Sequence, residues 1–75
     1  MKTFIADLTL TQIDETNTKI ECRSGIETLK ALQENMSTVS WVMDFHIFNS
    51  TAFIQTIGNP SHTQIVTDVQ EARFA

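Results

Sequence analysis

The chain has 75 residues, 41% of them hydrophobic and 19% charged, a balance typical of one folded globular domain rather than of a disordered segment. Nine acidic and five basic residues give a net charge of −4. The bases stand singly along the chain and form none of the clusters that phosphate binding requires, so we expect no direct binding to nucleic acid.

The first half of the chain predicts a β-hairpin followed by a helix. Residues 3–13 alternate with a period of two, with Phe4 and Ala6 on the core side and Ile5 on the polar side, and a second alternating segment follows a polar turn at 14–17. Ser24 stands three residues before Glu27, a spacing that predicts a capping box at a helix start. An apolar stripe at steps of three or four predicts that this helix ends near residues 36–37.

Alternation over 39–47 predicts the strongest strand of the chain, with Met43, Phe45 and Ile47 on its core face, and it turns back into a further strand that ends near Ile57. Phe53 and Ile57 can share the core face with this strand only if the loop has an odd number of residues, such as 49–51. A slip of one residue buries Ala52 and Ile54 instead. We favour the odd loop.

The segment after Gly58 carries signals for both strand and helix. Thr63, Ile65 and Val66 favour a strand, whereas Ser61 three residues before Gln64 repeats the helix-start spacing. A shift of 37 residues aligns the two halves of the chain, including their serine caps, and this favours the helix.

The predicted architecture is therefore a two-layer α+β fold, ββαββα, with a four-stranded, mostly antiparallel sheet and two helices on one of its faces. The alternative is ββαβββ with a C-terminal fifth strand. We expect a single domain over 1–75 that contains two related units, 1–37 and 38–75.

Asp44 and His46 are the candidates for chemistry, since they lie two residues apart on one face of the third strand, where a carboxylate can orient an imidazole. No nucleophile accompanies them, because Cys22 is predicted to face the core. No metal-binding spacing joins His46 to His62, and Gly25 and Gly58 stand too far apart for a phosphate-binding loop. We expect no catalytic residues, no metal and no cofactor.

Surplus apolar residues predict an interaction surface on the sheet. If the helices cover one face, other large side chains emerge on the opposite face, and a contiguous exposed apolar patch marks a partner surface. The predicted interface consists of Ile5, Val42, His46, Phe48 and Ile54. A second copy of the chain is one candidate to cover it, so we expect a homodimer.

These features favour a small non-enzymatic protein-interaction module, such as an inhibitor encoded by a phage or mobile element that occludes a larger protein. The alternative is a small-ligand-binding or catalytic domain with a site between protomers near Asp44 and His46. No run approaches the about 18 apolar residues of a transmembrane helix, so no membrane partner is expected. The sole cysteine, Cys22, excludes an internal disulfide and favours the cytoplasm, whether of the cell itself or of a host.

Overall fold

The fold combines one five-stranded sheet with two helices, and a computed structural model describes all 75 residues. The elements are β1 (Lys2–Ile5), β2 (Leu8–Gln12), β3 (Asn17–Cys22), α1 (Ile26–Asn35), β4 (Val42–Phe48), β5 (Thr51–Thr56) and α2 (His62–Arg73). The strands lie in the order β1-β2-β3-β5-β4, and all neighbours are antiparallel. The predicted α+β class is confirmed, and the C-terminal segment is a helix.

One hydrophobic core of 13 buried residues lies between the two helices and one face of the sheet. Leu29 and Leu32 of α1 and Ile65 and Val69 of α2 enter this core, as the spacing of α1 predicts. The opposite face of the sheet has no helix packed against it. Neither helix combines the length and the apolar character that crossing a bilayer requires.

A tight turn at Ala6 and Asp7 divides the N-terminal segment into two strands where one was expected. Ala6 adopts a positive φ of 50°, and Ile5 pairs directly with Leu8 across the turn. The turn places these two side chains on the same face. Ile5 is therefore only 6% exposed, whereas Phe4 is 70% exposed, so the predicted assignment of faces for β1 is wrong. The sheet accordingly has five strands instead of four.

The β4–β5 loop has two residues, so the predicted odd loop is wrong. Asn49 and Ser50 both have positive φ, 51° and 61°, the backbone of a type I′ hairpin turn that matches the twist of the strands. This even loop buries Ile54, at 1% exposure, and turns Phe53 to the other face. Ile57, which was expected in the core, is 57% exposed.

A β-bulge interrupts the predicted alternation of β4. The register shifts between Val42 and Asp44, so that Met43 has no paired residue on β5 and is 60% exposed. Beyond the bulge, Phe45 and Ile47 pack against the core as expected. The bulge explains why a strict period of two over 39–47 assigns Met43 to the wrong face.

The two predicted helix starts differ in the structure. Ser61 caps α2, since its side chain accepts a hydrogen bond from the Gln64 backbone N–H at 3.1 Å. Ser24 does not cap α1, because Gly25 occupies the cap position with φ 109° and the Ser24 hydroxyl donates to the Asp7 carboxylate. The predicted capping box is therefore wrong.

Asp7 joins the first turn of the sheet to the end of α2. Its two carboxylate oxygens accept hydrogen bonds from Nε and Nη2 of Arg73, both at 3.0 Å, and the Cys22 thiol donates to one of them at 3.5 Å. Such a bidentate, charge-assisted pair is among the stronger polar contacts in proteins. The Arg73 guanidinium and then the Ser24 hydroxyl hold the pKa of Asp7 well below its ordinary value of 3.8.

Replacement of this carboxylate tests the ion pair through its pH dependence. Because the folded-state pKa of Asp7 is lowered, its stabilising effect is present above about pH 4 and is lost as the pH falls through the folded-state value. We expect Asp7→Asn to be less stable than the wild type in urea unfolding at about pH 6, and the difference to shrink towards pH 2.

Asp14→Asn serves as the comparison, since Asp14 also has a lowered pKa, caused by hydrogen bonds from Thr16 and Asn17 within an exposed loop. Its effect should be smaller, because the loop contacts join no distant elements. A destabilisation by Asp7→Asn that is the same at both pH values would contradict the assignment.

Candidate functional site

The face of the sheet opposite the helices, called here the open face, has no helix packed against it. The strand register defines its members, because residues paired across neighbouring strands share a face. They are Lys2, Phe4, Thr9, Thr11, Asn17, Lys19, Glu21, Thr51, Phe53, Gln55, Asp44, His46 and Phe48. All of these residues are exposed or partly exposed.

Three of the five phenylalanines lie on the open face. Phe4 and Phe48 are 70% and 64% exposed and stand at opposite edges of the sheet. Beside Phe48, at the β4 edge, Phe53 of β5 stacks on the His46 ring of β4, with ring centroids 5.5 Å apart and an angle of 22° between the rings. Exposed aromatic side chains supply large contact areas at little entropic cost, which suits them to binding surfaces.

Asp44 and His46 form the contact that their spacing predicts. The Asp44 carboxylate lies 2.9 Å from His46 Nδ1, and the two side chains are 55% and 59% exposed. A pair this exposed is weakly coupled, because water screens the charges. No three potential metal-ligating side chains of the structure cluster together. The pair can orient the His46 ring on Phe53, and a catalytic role remains a hypothesis that no contact tests.

The charges of the molecule are divided unevenly between its two sides. Lys2 and Lys19 lie on the open face. Arg23 directly follows β3, and its backbone N–H donates a hydrogen bond to the Asp7 carbonyl. Only two of the nine acids, Glu21 and Asp44, share this face. Two of the five bases therefore share the open face with only two of the nine acids, so this face is less acidic than the helical side.

Both edges of the sheet are protected against pairing with a further strand. β1 has only four residues and carries Lys2 on the open face, and short edge strands with lysines discourage strand addition. β4 carries the bulge at Met43, and the Gln33 side chain of α1 donates to the Phe45 carbonyl at 2.7 Å. A partner is therefore better accommodated on the open face than along an edge.

The predicted interface residues separate into two groups. His46 and Phe48 lie on the open face and are exposed, as expected. Ile5 and Ile54 are buried at 6% and 1% exposure, and Val42 is half-buried against the core, so their predicted place on the opposite face is wrong. The two-residue turns in β1–β2 and β4–β5 reverse the predicted faces of Ile5 and Ile54, and the bulge at Met43 reverses that of Val42.

Phe4, Phe53 and Lys19 belong to the open face and were missed. The outward position of Phe53 could have been predicted from the sequence, since Asn49-Ser50 is a dipeptide suited to a two-residue hairpin turn. Phe4 had no such signal, because its face depends on a turn at Ala6, a residue that rarely adopts a positive φ.

Comparisons with protein families, with curated proteins and with solved structures found no match to this chain.

A pair of alanine substitutions tests the assignment of the faces. Ile54→Ala removes side-chain volume from the core and should lower the free energy of unfolding by about 2–5 kcal/mol. Phe48→Ala removes an exposed ring and should change it by less than about 0.5 kcal/mol. Urea unfolding of both variants measures the difference. Equal destabilisation would show that the two residues share an environment and would contradict the register.

Proposed function

We propose that this protein is a small non-enzymatic protein-binding module and that the open face is its docking surface. The observation that carries the proposal is the exposure of Phe48 beside the stacked His46 and Phe53 at one edge of a sheet face that no helix covers, with Phe4 exposed at its other edge. Soluble proteins rarely leave large apolar side chains grouped on a surface unless a partner covers them.

The composition of the open face supports a protein partner. Aromatic rings supply apolar contact area, and the threonines together with the charged side chains of Lys19 and Glu21 on the central strand supply polar contacts between them. Aromatic anchors combined with polar contacts are common in interfaces that form and dissociate. A module of this size acts by covering a site on its partner, as an inhibitor does. Its free, half-buried Cys22 thiol favours action in the cytoplasm.

Substitution of Phe48 tests this function without disturbing the core. Phe48→Asp should abolish stoichiometric capture of a protein partner from a lysate of the native host, because it places a charge within the apolar contact area. Phe74→Asp is the matched control, since Phe74 is 60% exposed but follows α2, away from the open face. Circular dichroism should show both variants folded.

Capture that survives Phe48→Asp, or that both variants abolish equally, would contradict the proposal. In the first case the open face is not the contact surface, and in the second the loss has no relation to that face.

A further inference from the structure

We infer that a second copy of this chain covers the open face, in a face-to-face dimer with a two-fold axis that lies between the two sheets and perpendicular to their strands. The inference rests on the proposed function, since it uses the same docking surface, and a different protein partner would have to displace the second copy from it. Two observations carry it: the pattern of charge across the face, and the area that the face offers.

Cross-strand pairing arranges the centre of the open face in two parallel rows. The first, called the Glu21 row, contains in sheet order Phe4, Thr9, Glu21, Thr51 and Phe48. The second, called the Lys19 row, contains in the same order Lys2, Thr11, Lys19, Phe53 and His46. On every strand the two members stand two residues apart, and at the centre Lys19 and Glu21 form an ion pair with an N–O distance of 3.6 Å.

A two-fold axis parallel to the rows and midway between them places the Glu21 row of one copy over the Lys19 row of the other. Each strand then faces its own counterpart, with its direction reversed. Lys19 lies over Glu21 of the second copy and Glu21 over Lys19 of the second copy, so that the four central charges alternate in sign. This arrangement leaves no unpaired charge at the centre of the interface, which is the condition for burying charges there.

The aromatic residues fit the same arrangement. Phe48 lies over His46 of the second copy, so that the phenylalanine ring can stack on the imidazole ring. Phe4 lies over Lys2 of the second copy, a pairing that permits a cation–π contact. Face-to-face sheets pack about 10 Å apart with their strands about 30° from alignment, and side chains from both faces fill the space between them.

Charge opposes the other simple symmetry. A two-fold axis parallel to the strands and centred on β3 places Lys19 over Lys19 and Glu21 over Glu21 of the second copy. Like charges directly opposite each other in an interface strongly oppose association. The position of a single ion pair on the central strand therefore selects one of the two symmetries.

The area of the open face suits a dimer in equilibrium with the monomer. Five strands about 4.8 Å apart and about 20 Å long present roughly 400 Å² in projection, and the accessible surface of a pleated face exceeds this value. Stable interfaces bury about 800 Å² of accessible surface on each partner, so the open face lies near their lower limit. An interface of this size is typical of weak, reversible association, so we expect both monomer and dimer in solution.

Charge reversal on one row tests the axis directly. Lys19→Glu and Glu21→Lys should each weaken dimerisation by at least about tenfold, since each variant places like charges opposite each other. An equimolar mixture of the two variants should form a heterodimer, because the two acidic residues of one variant then face the two lysines of the other. The double variant K19E/E21K should dimerise like the wild type. Sedimentation equilibrium from about 1 to 500 µM measures the constants, and native mass spectrometry identifies the heterodimer.

Lys30→Glu is the matched control, since it makes the same change of charge on α1, where Lys30 pairs with Glu27. It should leave the dimer constant within about twofold, because Lys30 belongs to α1 on the other side of the sheet and faces no charge of the second copy in this arrangement. A wild type that stays monomeric at the highest concentration, or a mixture that forms no heterodimer, would overturn the inference.

The failure of this inference differs from the failure of the proposed function. If the monomeric protein still captures a different protein through Phe48, the proposed function stands and the second copy is excluded as the occupant. If the monomer instead binds a single-stranded thymidine oligonucleotide through the open face, both are overturned in favour of nucleic acid.

Discussion

The number of residues in two tight turns decides which side chains this protein presents to its surroundings. Side chains alternate along a strand, so a change of one residue in a turn moves every following side chain to the other face. Asn49 and Ser50 form a two-residue turn with positive φ at both positions, and this turn directs Phe53 outward and Ile54 inward. Ala6 and Asp7 do the same for Phe4 and Ile5. The aromatic content of the open face depends on these turns.

Local signals were sufficient for much of the fold. The apolar spacing of α1 and the Ser61 cap of α2 lie within the segments that they organise, and the structure contains both helices. The turn at Ala6 had no local signal, because alanine rarely adopts a positive φ. Its neighbour Asp7 binds Arg73 from the other end of the chain. A turn held by so distant a contact cannot be predicted from neighbouring residues.

The surface was predicted only in part, and for the same reason. His46 and Phe48 follow from the alternation of β4 beyond its bulge, whereas Ile54 required the correct loop length. The gathering of Lys2 and Lys19 on one face could not be predicted at all, since it depends on the strand order of the sheet. A sequence that scatters its bases can still fold into a surface on which charge is organised.

The β4–β5 register is the foundation of the account, and nuclear Overhauser contacts between backbone Hα protons measure it most directly. The structure pairs Ile47 with Ala52 and Phe45 with Ile54. The pair Phe48–Thr51 closes the two-residue turn and is hydrogen-bonded, so Ile47–Ala52 and Phe45–Ile54 are non-hydrogen-bonded pairs. We therefore predict strong Hα–Hα contacts within both pairs, because the Cα atoms of such pairs lie only about 4.5 Å apart. A contact between Ile47 and Phe53 instead would place Phe53 in the core and leave the open face without its central ring.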